Sequence, residues 1–227
     1  MTALPPPWLG IAVASSVRIE MVADVVCPYC YIGLMRLKRA IAASRHTATV
    51  EATYTPFILR RNLPREGVPK MEIFRQQFGS EARGERVIAQ VLATAAEDGM
   101  QFNLSSQRAG NSEDAHRLLL WSGPRAMDLF EAMAETYNGM HGESLWLGDH
   151  DVLIESVRRC GLDTNSAAEV LADPAAFSEE LEAGLQRASE LGVTGVPAFF
   201  VNGVLLGTGA LSEAALRIVI GQTCSPG

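Results

Sequence analysis

Residues 24–33 read Asp-Val-Val-Cys-Pro-Tyr-Cys-Tyr-Ile-Gly, so that two cysteines, Cys27 and Cys30, stand three positions apart. Residues 17–23 before them largely alternate between apolar and polar side chains, which is the period of a β-strand. Pro28 suits the first turn of a helix, where its missing N–H costs no hydrogen bond, and helical character continues to about residue 43. We therefore predict that the cysteine pair lies where a strand is followed by the N-terminus of a helix.

This position gives the two cysteines different chemistry. A helix N-terminus presents unpaired N–H groups and the positive end of the helix dipole, and both stabilise a thiolate at Cys27. Cys30 lies one turn further, on the apolar face that also carries Leu34, Leu37 and Ile41. We therefore expect an exposed, nucleophilic Cys27 and a buried Cys30. This asymmetry suits thiol–disulfide exchange, in which one thiolate attacks a disulfide and the second thiol resolves the mixed intermediate.

The two ends of the chain predict a small sheet. A second strand over residues 49–54 gives the chain a β-α-β beginning, which requires parallel strands. Near the other end, strands at residues 198–201 and 204–206 flank Asn202 and Gly203, a strong signal for a two-residue hairpin. A final helix follows, so the chain ends β-β-α.

Helical periods dominate between these two halves. The predicted segments are residues 71–78, 85–97, 112–121, 126–137, 152–160 and 175–191. Asn111, Asn165 and Ser212 are predicted helix N-caps, and Asp149 is predicted to cap the helix after it. The aromatic residues of this region are predicted to be mostly core, with some lining a cleft over Cys27: Phe74, Phe78, Trp121, Phe130, Tyr137 and Trp146.

The predicted fold class is therefore α/β, a β-α-β unit and a β-β-α unit interrupted by a large all-helical insertion. The predicted segments are 1–16, a flexible N-terminal extension; 17–64, the first half; 65–191, the insertion; and 192–227, the second half with a C-terminal tail. Both ends of the insertion return to the same sheet, which argues against a separate neighbouring domain.

A second motif, Thr194-Gly195-Val196-Pro197, stands just before the third strand. A proline entering a central strand is unusual because it removes a hydrogen-bond donor from the ladder. A cis peptide bond between Val196 and Pro197 is one way in which a proline can stand at the entry to a central strand. The alternative is a trans proline at the start of the strand.

Composition excludes several classes of function. The chain has 227 residues, 48% of them hydrophobic, a net charge of −7 and no basic run, which argues against nucleic-acid binding. No segment reaches the length of a transmembrane helix, and no basic region precedes the apolar stretch at residues 8–14 as a signal peptide requires. We therefore expect no membrane partner and a cytoplasmic location, where a close cysteine pair is more often catalytic or metal-binding than structural.

No metal site is predicted, because zinc would need two more ligands at suitable spacing. Cys160 and Cys224 are isolated, and the four histidines show no paired spacing with them. Cys160 is expected to be a small buried residue and Cys224 a free thiol. His116 is expected to be packed or solvent-facing rather than catalytic.

Residues 24–33 resemble the active-site signature of DsbA-family thioredoxin-fold oxidoreductases, in particular the FrnE-like branch. Further stretches that agree with that branch are residues 111–117, 147–153, 161–163 and 195–197. The resemblance covers residues 17–220 and departs from the family at Leu211, where a glutamine is common. It implies a thioredoxin fold with a helical insertion covering the active site, and dithiol–disulfide activity.

The resemblance and the motif chemistry together assign roles. Cys27 is the attacking thiolate and Cys30 the resolving thiol; the residues expected to contact substrate are Pro28, Tyr29, Asn111, Val196 and Pro197. The expected partners are protein or small-molecule thiols and disulfides, with a homodimer as one oligomeric state. No cofactor is expected beyond the redox-active disulfide itself, with glutathione as an alternative co-substrate. Because the pair encloses Pro-Tyr and no histidine, we expect a couple near glutaredoxin-like potentials of about −200 to −230 mV.

Two other functions remain open on this evidence. Some relatives on the same fold, the 2-hydroxychromene-2-carboxylate isomerases and kappa-class glutathione transferases, bind glutathione and use a serine near the position of Cys27. Because this chain has both cysteines, redox chemistry is favoured over a glutathione-dependent isomerase or transferase activity. A non-catalytic, chaperone-like binder that holds unfolded chains in the cleft is the third hypothesis.

Overall fold

The computed structural model describes residues 16–44 and 49–222, so the expectations for residues 1–15, His46 and Cys224 lie outside the described residues. In chain order the elements are β1 (Ser16–Ala23), α1 (Pro28–Ser44), β2 (Thr49–Pro56), β3 (Val68–Pro69), α2 (Lys70–Phe78), α3 (Glu81–Glu97), β4 (Arg108–Ala109), α4 (Glu113–Trp121), α5 (Ala126–Tyr137), α6 (His150–Arg159), α7 (Thr164–Ala172), α8 (Ser178–Glu190), β5 (Ala198–Val201), β6 (Val204–Thr208) and α9 (Glu213–Gln222).

A four-stranded sheet in the order β2-β1-β5-β6 forms the centre of the molecule. β1 and β2 are parallel, whereas β5 pairs antiparallel with both β1 and β6. The turn between β5 and β6 has positive φ at both Asn202 (49°) and Gly203 (82°), the geometry of a type I′ turn. The predicted β-α-β and β-β-α halves of a single mixed sheet are confirmed.

Helices cover both faces of this sheet. Ile19 of β1 belongs to the main core together with Leu37 of α1 and Leu216 of α9. Val22, on the opposite face of the same strand, packs in a second cluster with Ala188 of α8. Successive side chains of β1 thus face two different apolar layers, and the strand is therefore buried along most of its length.

Helix α8, which the sequence analysis places in the insertion, packs against the sheet itself. Arg187 of α8 donates two hydrogen bonds to the carboxylate of Glu20 in β1, at 2.7 and 2.6 Å, and thereby holds the pKa of Glu20 below its usual value. Gly184 allows a close approach, since a Cβ there would lie 2.4 Å from Cγ of Pro56. By its packing, α8 is therefore part of the layered core.

The remaining inserted residues differ from the prediction in three details. β3 and β4 form a two-stranded antiparallel sheet, which is too short to leave a period in the sequence. α7 was not predicted, and its N-cap is Asp163, whose Oδ1 accepts the N–H of Asn165 at 2.9 Å. The predicted capping role of Asn165 is therefore wrong, because the aspartate two positions earlier already accepts that bond. Ser212 and Asp149 do cap their helices as predicted.

Candidate active site

The turn between β1 and α1 presents the cysteine pair. The N–H of Cys27 donates to the backbone carbonyl of Asp24 at 3.0 Å, and the N–H of Val26 donates to the Asp24 side chain at 3.2 Å. α1 then begins at Pro28, and the N–H of Cys30 donates to the carbonyl of Cys27 at 2.9 Å. Cys27 consequently lies at the N-terminus of the helix, where unpaired N–H groups favour a thiolate.

Both cysteines are buried and are not joined by a disulfide in the structure. Cys30 is fully buried, as predicted, on the face that carries Leu34 and Leu37. The prediction of an exposed Cys27 is wrong, because only 7% of this residue is accessible. The inserted helices and the Val196 segment cover most of it, so that Cys27 lies at the wall of a partly open cavity rather than on the protein surface.

The pKa values of the two thiols are shifted in opposite directions. A hydrogen bond from the Cys30 thiol lowers the pKa of Cys27, with a further contribution from the positive charge of Lys70, against an opposing effect of burial. Burial and the adjacent Cys27 thiolate raise the pKa of Cys30 well above its usual value. Cys27 is therefore the more readily deprotonated thiol of the pair, and Cys30 is the thiol that keeps its proton more strongly.

Alkylation should reveal this difference directly. In a chain with Cys160 and Cys224 changed to serine, we expect iodoacetamide to modify Cys27 with a pH midpoint below the ordinary cysteine pKa of about 8.5. The direction follows from the lowered pKa, since the thiolate fraction at neutral pH then exceeds that of a free cysteine. Mass spectrometry of the alkylated peptides should show Cys30 unmodified over the same range. A Cys27 midpoint at or above 8.5 would contradict the assignment.

The Val196-Pro197 segment lies against Cys27. The peptide bond between these two residues is cis, and the carbonyl oxygen of Val196 lies 3.9 Å from Sγ of Cys27. Gly33 of α1 faces the same segment, because a Cβ there would lie 3.3 Å from Cγ of Pro197 and 3.0 Å from the Phe199 ring. The absence of a side chain at Gly33 thus lets α1 approach the start of β5 closely.

A cavity of about 170 Å³ opens beside Cys27. Val26, Pro28 and Tyr29 of the active-site turn line one side of it. Apolar residues of the insertion line the other side: Ile73, Phe74, Val87, Ile88, Val91 and Leu104. Pro28 and Tyr29 thus lie beside this space, and their expected contact with substrate stays a prediction. Of the insertion's aromatic residues considered for a cleft over Cys27, Phe74 and Tyr137 border it.

Lys70, the first residue of α2, also lines the cavity, and the sequence analysis did not single it out. Its Nζ donates to Oε1 of Gln107 and lies 5.6 and 5.5 Å from the ring centroids of Phe74 and Tyr137. Burial lowers the pKa of Lys70 to about 8, while the negative charge of Cys27 opposes this effect. The ammonium group and the Cys27 thiolate thus stabilise each other across the cavity.

Asp24 is fully buried behind the active-site turn and connects it to distant segments. Besides the N–H of Val26, its carboxylate accepts the N–H of Leu59 at 2.8 Å and the hydroxyl of Ser112 at 3.1 Å. Nε2 of His116 lies 3.2 Å from the same carboxylate. Asp24 therefore ties the turn to the loop after β2 and to α4 of the insertion.

His116 completes this buried cluster. Its other ring nitrogen, Nδ1, is hydrogen-bonded to the hydroxyl of Tyr54, whose pKa is raised well above its usual value by burial. With its proton on Nε2, the imidazole donates to the Asp24 carboxylate and accepts from the Tyr54 hydroxyl. Both ring nitrogens of His116 and the Tyr54 hydroxyl then have a hydrogen-bond partner. His116 is fully buried, which fits the packed alternative of the two expected for it.

Asn111 does not border the cavity beside Cys27. Its Oδ1 accepts the N–H of Glu113 at 2.8 Å, and its Nδ2 donates to the carbonyl of Arg61 at 3.1 Å. The side chain thus satisfies the first turn of α4, although the cap position itself is Ser112. Asn111 lines a separate polar cavity of about 350 Å³ that includes Arg61 and Arg65.

Within the described residues, no group of three or more His, Cys, Asp or Glu side chains is placed so that it could hold a metal ion. His150 instead pairs with Asp114 at 2.9 Å. Cys160 is half-buried at the C-cap of α6, where its Sγ contacts the carbonyl of Asp128 at 3.5 Å. Among residues 16–44 and 49–222, no helix combines the length and apolar character needed to span a bilayer.

A mixed sheet of this topology, with a cysteine pair at the start of α1, defines a thioredoxin-like oxidoreductase. The chain belongs to the DSBA-like thioredoxin domain family, whose family model matches residues 18–220. The expected fold and the resemblance to the DsbA family are thereby confirmed. Among curated proteins, no sequence matches this chain.

Solved structures agree with this assignment. A probable DsbA oxidoreductase from Streptomyces coelicolor is similar with a TM-score of 0.82 and 29% identity, covering 91% of this chain and 89% of that chain. A 2-hydroxychromene-2-carboxylate isomerase (TM-score 0.68, 15% identity, 91% and 96% covered) shares the fold. So does the cytosolic disulfide reductase DsbM from Pseudomonas aeruginosa, solved with GSH (TM-score 0.56, 16% identity, 91% and 93% covered).

Proposed function

We propose that this protein is a thiol–disulfide oxidoreductase that uses Cys27 and Cys30. The observation that carries the proposal is the pair of adjacent buried thiols at the N-terminus of α1, whose pKa values are shifted in opposite directions, that of Cys27 downward and that of Cys30 upward. Disulfide exchange needs this combination, because the attacking sulfur must be a thiolate while the resolving sulfur waits as a thiol.

The exchange proceeds in two steps. The Cys27 thiolate attacks one sulfur of the substrate disulfide, forms a mixed disulfide and releases the other sulfur as a thiolate. Cys30 then loses its proton and attacks Sγ of Cys27, so that the second substrate thiolate leaves. The substrate is reduced to two thiols and the protein dithiol is oxidised to a disulfide; the reverse sequence oxidises a substrate dithiol.

Several finer assignments accompany this proposal. Val196 and Pro197 act as the platform for the substrate segment next to the disulfide, supported by the 3.9 Å approach of the Val196 carbonyl to Cys27. Membership of the FrnE-like branch is supported by the motifs in residues 24–33 and 111–117. The proposed location is cytoplasmic, supported by the structurally similar DsbM, which is a cytosolic disulfide reductase.

A redox titration tests the proposed function. The protein, with Cys160 and Cys224 changed to serine, is equilibrated in a series of buffers that differ in the ratio of reduced to oxidised glutathione. Free thiols are then alkylated, and mass spectrometry measures the fraction of dithiol and disulfide. We expect one two-electron transition between dithiol and disulfide, with a midpoint near glutaredoxin potentials of about −200 to −230 mV. Failure of Cys27 and Cys30 to form a reversible disulfide at any ratio would refute the proposal.

The isomerase and chaperone hypotheses have distinct signatures. Glutathione-dependent turnover of 2-hydroxychromene-2-carboxylate that persists without Cys30 would favour the isomerase. Suppression of aggregation that is unchanged when both cysteines become serine would favour the chaperone. We place both second, since neither requires the opposed pKa shifts of the two thiols.

A further inference from the structure

The cavity beside Cys27 is partly open to solvent, and the space inside it fits a small group. An apolar cavity of about 150 Å³ is known to bind benzene, so the 170 Å³ found here accommodates one aromatic ring or one short aliphatic chain. Its walls are suited to such a group, because Phe74, Val91 and Leu104 present apolar surface to it.

The charge of the cavity is positive, in contrast to the whole chain. Arg60 and Lys70 are the cationic residues among its described lining, which includes no carboxylate, so that the two cations outnumber the single Cys27 thiolate. The protein as a whole has a net charge of −7. A cavity lined by charges of one sign concentrates ligands of the opposite sign, and low-dielectric walls strengthen this effect.

Lys70 is held in place by neutral groups. Its described contacts are the amide oxygen of Gln107 and the rings of Phe74 and Tyr137, and no described carboxylate lies within ion-pair distance of its Nζ. Arg60 likewise donates to the amide oxygen of Gln77 rather than to an acid. Both cations therefore lack a protein carboxylate among the described residues and can pair with one on a ligand.

We propose that the cavity takes a small disulfide whose sulfur-bearing group is apolar, carries a carboxylate and is selected through Lys70. The inference rests on the proposed function and specifies its substrate class. In the reaction, Cys27 forms a mixed disulfide with one half of the substrate and the other half leaves as a carboxylate-bearing thiolate. Cys30 then bonds to Cys27, releases the second half and gives its proton to solvent.

Stopped-flow kinetics with three disulfides test the proposal. The reduced chain, with Cys160 and Cys224 changed to serine, is mixed with dithiobis(nitrobenzoate), which is aromatic and anionic, dithiodipyridine, which is aromatic and neutral, or cystamine, which is cationic. Each rate constant is measured again for Lys70→Met. The matched control is Lys38→Met, because Lys38 lies on α1 and pairs with Asp128 and Glu131.

The selectivity ratio separates two effects of Lys70. Loss of the ammonium group raises the Cys27 pKa and slows all three reactions, but only the anionic probe also loses a charge-assisted contact. We expect the ratio of anionic to neutral rate constants to fall at least about fivefold in Lys70→Met and to stay unchanged in Lys38→Met. Nitrobenzoate, which has no sulfur, should inhibit the neutral probe in the wild type and much less in Lys70→Met.

The outcomes distinguish a failure of the proposed substrate class from a failure of the proposed function. If the wild type reacts with none of the probes, the proposed function fails. If it reacts with all of them and Lys70→Met slows each by the same factor, the function stands and the substrate class is overturned. A cystine peptide with an apolar, acidic sequence that reacts faster than dithiobis(nitrobenzoate) would also overturn the choice of a small molecule.

Discussion

Replacement of Cys27 by serine should abolish disulfide exchange. A serine hydroxyl does not attack a disulfide, and the remaining thiol, Cys30, is fully buried with a raised pKa. We therefore expect the rate of reaction with dithiodipyridine to fall by at least about 100-fold, and insulin reduction to become undetectable. Both are measured in the background without Cys160 and Cys224, so that no other thiol contributes.

The stoichiometry of the reaction with dithiodipyridine tests the role of Cys30 as the resolving thiol. The parent should release two equivalents of pyridinethione per chain, one for each half of the probe. Cys30→Ser should release one equivalent rapidly and stop at a stable mixed disulfide on Cys27. Cys160→Ser alone should retain the wild-type rate. Insulin reduction that survives in Cys27→Ser would exclude Cys27 as the attacking residue.

Replacement of Asp24 by alanine should have the largest effect on stability. The change leaves four donors without their acceptor: the buried N–H of Val26, hydroxyl of Ser112 and imidazole of His116, and the part-buried N–H of Leu59. We expect a loss of about 3–5 kcal/mol in the free energy of unfolding. Urea denaturation followed by circular dichroism measures this loss.

A matched aspartate serves as the control. Asp163 accepts two N–H groups at the N-terminus of α7 in an exposed position, and its replacement by alanine should cost clearly less stability than the Asp24 change. Asp24→Asn, which keeps one acceptor oxygen but brings an amide donor toward the N–H of Leu59, should lie between the two. It also gives a folded variant if the alanine form cannot be purified. Equal losses for Asp24→Ala and Asp163→Ala would contradict the proposed role of the buried cluster.

The parts of the site that were predictable depend on local signals. The strand before residue 24, the proline in the first turn and the apolar spacing from Cys30 onward all lie within one short segment. The hairpin at Asn202 and Gly203 is similarly local, because positive φ at both positions favours these residues. These segments therefore gave the fold class and the position of the cysteine pair without any knowledge of tertiary contacts.

The parts that were not predictable depend on contacts between distant segments. Lys70 is an ordinary charged residue in the sequence, and only the packing of α2 over the active-site turn brings it to the cavity. The accessibility of Cys27 was overestimated for the same reason, since a helix N-terminus by itself does not indicate what covers it. Asp163 and Asn165 are both capable caps, and the sequence does not say which one accepts the bonds.

The buried carboxylate of Asp24 has a consequence for how the protein matures. Its contact with His116 joins positions 92 residues apart, and Cys27 meets Val196 across 169 residues. Contacts of such long sequence separation form late, because the entropy of closing the intervening loops must be overcome first. The Val196 segment can therefore lie against Cys27 only after synthesis has passed β5, and a nascent chain presents the cysteine pair without this cover.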